Sequence, residues 1–189
     1  MVRKSFSIVA LFLISSVFIC PVSAQNSASV ANRRTAVRYL QLAKQFASEK
    51  LWNEAESNAK MGLAYDDSIA DLWYVHALSQ NALGEKKSQI LPSIVTALTE
   101  AEWVDYNKDG ARVLYAEILY KTRQFTQALA VLDSEPFVYS ADAEYIRIQS
   151  YYNAGDEENV KKARARLDSA RRVYPADVRF ADLFYAHEY

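Results

Sequence analysis

The stretch "LWNEAESNAKMGLAYDD", Leu51 to Asp67, decides how the chain folds. Its apolar residues recur at helical intervals, but Ala55, Ala59 and Gly62, spaced by four and then three, leave one edge with only small side chains. An edge this small lets a second helix backbone approach closely. A Leu at Ala55 or Ala59 would overpack such a crossing, at about 1–3 kcal/mol. The stretch therefore predicts a helix laid against another helix, with Tyr39, Phe46 and Trp73 as the large side chains that fill the space beside it.

Outward from this helix, the same period continues in short segments at about 35–49, 52–65, 69–83, 92–104, 109–121, 124–134, 141–154, 157–174 and 178–187. They are separated at Asp66-Asp67, Gly84, Asn107 to Gly110, Pro136, Gly155 and Pro175, residue types that end helices. Long alternating strands are absent, and good helix formers dominate beside only 4 Gly and 4 Pro. The fold expected is all-α. Helices this short are marginal alone, so they must be held by packing against neighbours.

The segments also repeat. Ala43, Ala77 and Ala116 occupy equivalent places in alternate helices, at intervals of 34 and 39 residues. The same shifts carry Ala55-Ala59-Gly62 onto Ile94-Leu98-Ala101 and then onto Ala128-Leu132-Glu135. Ala163-Leu167-Ala170 gives a fourth set, followed by Pro175. The extra residues of the second unit are expected between its two helices, in "GEKKSQIL" (84–91), which would put Pro92 at a first helical position, where a missing N–H costs nothing.

At these positions the chain resembles the tetratricopeptide repeat (TPR) family, whose period is about 34 residues of helix–turn–helix. The resembling sets are Tyr39, Leu42, Ala43 and Phe46; Trp73, His76, Ala77 and Gln80; Arg112, Tyr115, Ala116 and Leu119; and Tyr145, Ile148, Gln149 and Tyr152. His76, Gln80, Arg112 and Gln149 depart from the small or apolar residues usual there. The resemblance implies a TPR-like α-solenoid over 35–189, a right-handed superhelix of stacked antiparallel hairpins whose first helices line a concave groove. The implied groove residues are Lys44, Tyr74, Leu78, Asn81, Val113, Glu117, Tyr120 and Ile146. Some family members clamp a peptide carboxylate with groove cations. Here Lys44 is the only cation in the set, so that clamp is not carried over. Replacing Tyr74 and Leu78 by Ala is expected to weaken partner binding and leave stability nearly unchanged.

The N-terminus reads as an export signal. Arg3 and Lys4 precede the apolar run Phe6 to Ile19, and Val22-Ser23-Ala24 supplies a cleavage site before Gln25. A run this short favours cleavage over a retained membrane anchor, since spanning wants about 20 apolar residues. Lipidation at Cys20, the only cysteine, would need small residues where Phe18 and Ile19 stand. The expected organisation is a signal peptide over 1–24, a flexible leader over 25–34 and the helical repeats over 35–189. A periplasmic or cell-envelope location follows, with secretion as an alternative.

Cleavage leaves 20 basic and 23 acidic residues, a balance that offers no footprint for nucleic acid. "VKKARARLDSARRVY" (160–174) is the densest basic run and reads as a solvated helix face. His76 and His187 are far apart, and His76 falls at an interior place suited to a packed, hydrogen-bonded imidazole. "YNKDG" (106–110) lacks the further oxygen ligands of a calcium loop. No glycine-rich phosphate loop is present, and neither a catalytic constellation nor a metal or other cofactor is expected. What remains is a non-enzymatic module that binds a protein or peptide. The final segment, "DVRFADLFYAHEY" (177–189), carries Val178, Ala181, Phe184 and Tyr185 at helical spacing. It reads as a capping helix with an apolar outer side, a surface for self-association, or the cut end of a longer repeat protein.

Overall fold

The computed structural model describes residues 22–99 and 102–188. The expectations for residues 1–21, including the apolar run and Cys20, and for Ala101 lie outside them. Among the described residues the chain is all-helical. It comprises α1 (Val22–Ser48), α2 (Trp52–Tyr65), α3 (Ala70–Ala82), α4 (Lys87–Thr99), α5 (Lys108–Lys121), α6 (Phe125–Asp133), α7 (Ala141–Ala154), α8 (Glu157–Val173) and α9 (Val178–Glu188). Each helix packs against the next, and α1 also meets α3, as α5 meets α7.

Ala55, Ala59 and Gly62 are buried on one side of α2, in a core with Ala36, Leu40, Ala43, Leu72 and Val75. The large partner at the crossing is Leu72. A Cβ placed on Gly62 would lie 2.6 Å from one Leu72 methyl carbon and 2.9 Å from the other. Phe46 packs against this core as expected. Trp73 does not: its indole N–H turns away to donate to the Asp67 carbonyl at 2.7 Å. Tyr39 stacks on Tyr65 with ring centroids 5.8 Å apart. Leu42, one of the resembling positions, is an exposed residue.

Three of the helix-to-helix turns share one hydrogen-bond pattern. The backbone N–H groups of Leu51, Glu85 and Gln124 donate to the carbonyls five residues earlier, at Phe46, Gln80 and Leu119, over 2.9, 3.0 and 2.9 Å. The residues before these donors, Lys50, Gly84 and Arg123, have φ of 60, 77 and 61°. Their N–H groups donate three residues back, to Ala47, Asn81 and Tyr120. This is the left-handed Schellman cap. Gly155, φ 82°, takes the equivalent place between α7 and α8. Lys50, Gly84 and Arg123 repeat the 34- and 39-residue intervals of the alanines.

Two boundaries differ from expectation. Helix α1 begins at Val22, so residues 25–34, read as a flexible leader, are helical. Arg33 helps to fix this end, reaching Ser68 at 3.3 Å, Asp66 at 3.4 Å and Glu102 at 2.9 Å. Helix α4 begins at Lys87, so Pro92 lies inside it and "GEKKSQIL" holds no insertion. The extra residues of the second unit fall after α4. Ser93 and Ala97, not Leu98, are the small buried pair of α4, and Leu98 is half-buried. Glu135 lies beyond the end of α6.

The extra residues bind the first and second units together. Ala70 N–H donates to the Glu102 carbonyl at 2.8 Å, and Glu102 N–H to that of Ser68 at 2.7 Å. Asp71, fully buried in α3, accepts from the backbone N–H groups of Val104 at 2.7 Å, Asp105 at 3.0 Å and Tyr106. Tyr106 then packs on the first core.

A second polar anchor holds α6 between α5 and α7. The Arg112 guanidinium donates to the carbonyls of Val131, Leu132, Ser134 and Pro136. The buried Arg147 donates to the Leu132 carbonyl at 2.8 Å and to Asp133 at 2.7 Å. Cations are favoured where a helix ends in unpaired carbonyls. This explains why Arg112, a departure from the family pattern, is buried here.

At the C-terminal end, α9 buries Phe180 and Leu183 against Ile148, Ala163, Leu167 and Ala170. Phe184 is half-buried beneath the Arg171 guanidinium, 3.9 Å from its ring centroid. The exposed apolar side of α9 is therefore narrower than expected and centres on Val178, 70% exposed, and Tyr185, 64% exposed.

Candidate functional site

Helices α3, α5 and α7 form three walls of one open cleft of about 540 Å³, joined by residues 138–140 and by Arg179 of α9. Five of the eight groove residues expected from sequence line it: Tyr74 and Leu78 on α3, Val113 and Glu117 on α5, and Ile146 on α7. Helical spacing explains the pairs, since residues three or four apart share a face. Leu78 and Val113 are half-buried, and Ile146 is buried at the base of α7.

The other three lie outside this lining. Lys44 is bonded to Asp105, and its ammonium stands 4.5 Å from the Tyr106 ring centroid. That bond and one from Gln41 hold the Asp105 carboxyl below its usual range. Asn81 serves the α3 cap through its carbonyl, which accepts from Gly84 at 3.2 Å. Tyr120 donates to Gln149 Oε1 at 3.0 Å and packs on Phe125.

Tyr74 is more than a cleft surface. Its ring meets Tyr106 edge-on at 5.4 Å and Trp103 at 6.1 Å. A Cβ on Gly110 would come within 2.7 Å of the Tyr74 hydroxyl, so the absence of a side chain at Gly110 makes room for it. Burial, with a smaller contribution from Tyr106, pushes its pKa up to about 12, and the phenol keeps its proton at neutral pH. Replacing it would remove core packing, so the expectation that Tyr74→Ala leaves stability unchanged does not suit this geometry.

The cleft includes groups that helical spacing did not single out. Tyr139 is 83% exposed, with its ring 4.7 Å from that of Phe137. Asp109 and Asp142 stand near the starts of α5 and α7, positions that suit carboxylates. Arg179 arrives from a helix more than thirty residues away in sequence and is the cation of the lining. It contacts Asp142 at 2.8 Å and Asp177 at 2.6 Å, and stands 5.0 Å from the Tyr145 ring centroid. Its bond to Asp177 is the main factor holding it charged and lowers the Asp177 pKa in return. The turn placing Tyr139 and the long-range arrival of Arg179 leave no periodic signal in the sequence.

His76 lies away from the cleft, between α2 and α4. Its Nδ1 is 3.0 Å from Ser93 Oγ, and Nε2 is 3.5 Å from Glu56. Burial and Lys60 lower its pKa, outweighing the opposing pull of Glu56. His187 stacks flat on Tyr152 at 3.9 Å. Among the described residues, no three His, Cys, Asp or Glu side chains converge as a metal site, and no helix is long and apolar enough to cross a membrane.

The chain matches no family model and no solved structure. It is 32% identical over 154 residues to an uncharacterized protein of Treponema pallidum (strain Nichols). That similarity covers 81% of this chain and 18% of the relative, so the chain spans less than a fifth of the relative's length.

Proposed function

We propose that the protein is an exported, non-enzymatic TPR-type interaction module that holds a polypeptide segment in the cleft between α3, α5 and α7. The observation that carries this reading is the meeting of Tyr74, Leu78, Val113, Glu117 and Ile146, residues from three successive first helices, in one open cleft. The lining mixes aliphatic floor, tyrosine and a few charged groups, a composition suited to polypeptide recognition. The recurring left-handed caps at Lys50, Gly84 and Arg123 support a solenoid of stacked hairpins. Export rests on the sequence of residues 1–24, and N-terminal sequencing of the mature protein should begin at Gln25.

The cleft is tested by crosslinking tagged protein in its native envelope and identifying the captured chains by mass spectrometry. A Leu78→Ser, Tyr139→Ala variant serves as the comparison because it spares Tyr74, and its melting curve must match the parent's, since Leu78 packs on the same core as Tyr74. Crosslinks mapping to the cleft and lost in the variant are the expected result. Capture that does not change would overturn the assignment. Val178 and Tyr185, seven residues apart on the outer face of α9, favour a second reading, self-association through this helix. Light scattering that shows a monomer at all concentrations counts against it.

A further inference from the structure

The cleft is unevenly charged, and this bears on what it would hold. Three carboxylates, Asp109, Glu117 and Asp142, share its lining with a single cation, Arg179. Arg179 is committed at one end, bound to both Asp142 and Asp177. Asp109 and Glu117 remain along α5, 47% and 36% exposed. Their own partners hold them loosely. Arg112 lies 3.8 Å from Asp109 while donating to four backbone carbonyls, and Lys121 forms an exposed pair with Glu117 one turn along the same helix. Such pairs are weak and exchange readily with solvent or another cation. Beside these acids lies the aliphatic surface of Leu78, Val113 and Ile146.

Resting on the reading of this cleft as a polypeptide site, we infer that its occupant is an extended segment carrying a Lys or Arg side chain next to a bulky apolar one. The apolar side chain enters the floor between α3, α5 and α7, and the cation reaches Glu117, with Asp109 about two turns away on α5 adding to the negative charge of that wall. Arg179 displays the same chemistry within the chain, a guanidinium on a tyrosine face and against rim carboxylates. An acidic segment would meet two carboxylates with no uncommitted cation in the lining to receive it.

A random-peptide phage library selected on the purified protein tests this, with the Leu78→Ser, Tyr139→Ala variant identifying clones that depend on the cleft. Those clones should be enriched in Lys or Arg beside Leu, Ile, Phe or Met. A fluorescent peptide from that class should lose about two- to fivefold in affinity on Glu117→Gln, or when its own cation becomes glutamine. Its binding should also weaken with added salt. Cleft-dependent clones with no basic enrichment, or indifferent to Glu117→Gln, would overturn the inference and leave the cleft as a polypeptide site. If no clone depends on the cleft, the proposed function falls, and this inference with it.

Discussion

Gly62→Ala sets two effects of opposite sign against each other. Ala is favoured over Gly inside a helix by about 1 kcal/mol. The new methyl carbon would lie 2.6 and 2.9 Å from the two Leu72 methyl carbons and 3.3 Å from its Cγ. Leu72 is fully buried among Ile69, Val75 and the α2 alanines, so it cannot swing into solvent. Relieving the overlap must move a packed side chain or separate two helices, which costs about 1–3 kcal/mol. The net expectation is a loss of about 1 kcal/mol. Leu72→Ala alone should cost about 2–5 kcal/mol as a cavity. In that background the overlap is gone, and Gly62→Ala should stabilise by about 1 kcal/mol. The sign therefore reverses, with a coupling of about 2 kcal/mol between the sites. Urea unfolding of the four proteins, followed by far-ultraviolet circular dichroism, gives each value. A Gly62→Ala variant more stable than the parent protein would show room at the crossing and refute the reasoning.

Three further outcomes follow from buried polar groups. Arg147→Ala leaves Asp133 without its guanidinium and the Leu132 carbonyl with only the longer bond from Arg112, and should destabilise by about 1–3 kcal/mol, read in the same unfolding assay. Asp71→Ala removes the acceptor of three backbone N–H groups, each worth about 1–3 kcal/mol if left unpaired; amide exchange at Val104 to Tyr106 should accelerate well before that of α3, and unchanged protection would count against it. His76 has its pKa lowered in the fold, so it contributes full stability above about pH 6.5, the unfolded value. Below that pH the unfolded chain takes up the proton first, and stability falls until the folded pKa is reached. His76→Gln should flatten this part of the stability–pH curve, and an unchanged slope would exclude His76 as its source.

The helices were legible because their cause is local. Residues 141–154 and 52–65 are read from apolar spacing and from the residues that interrupt it, and the folded helices have the same limits. Gly155 and Gly84 mark turns for a backbone reason, their positive φ. Lys50 and Arg123 adopt the same left-handed conformation without being glycine, so residue type gives no sign of it and only the repeat intervals measured from Gly84 point to them. The position of Pro92 misled because proline suits a first helical position, yet its missing N–H did not prevent α4 from starting five residues earlier. Trp73 was the larger neighbour of Leu72 in sequence, but its indole N–H has a backbone partner outside the core. In the cleft, Tyr74, Leu78, Val113, Glu117 and Ile146 are the part of the helical lining that the repeat frame names, whereas Asp109 and Asp142, at the helix starts, fall outside it. Arg179 and Tyr139 depended on distant contacts and an irregular turn, where periodicity carries no information.

The polar anchor at the end of α6 also bears on the cleft. Arg112 belongs to α5 and Arg147 to α7, and both guanidiniums reach the same Leu132 carbonyl oxygen, at 3.3 and 2.8 Å. Val113 and Ile146, the residues next to them, face the cleft. Two walls of the cleft are thus tied at their back to the end of one short helix, through this shared oxygen and the neighbouring carbonyls and Asp133. A substitution at Arg112 or Arg147 would therefore shift these walls from behind, leaving every side chain of the cleft lining unaltered.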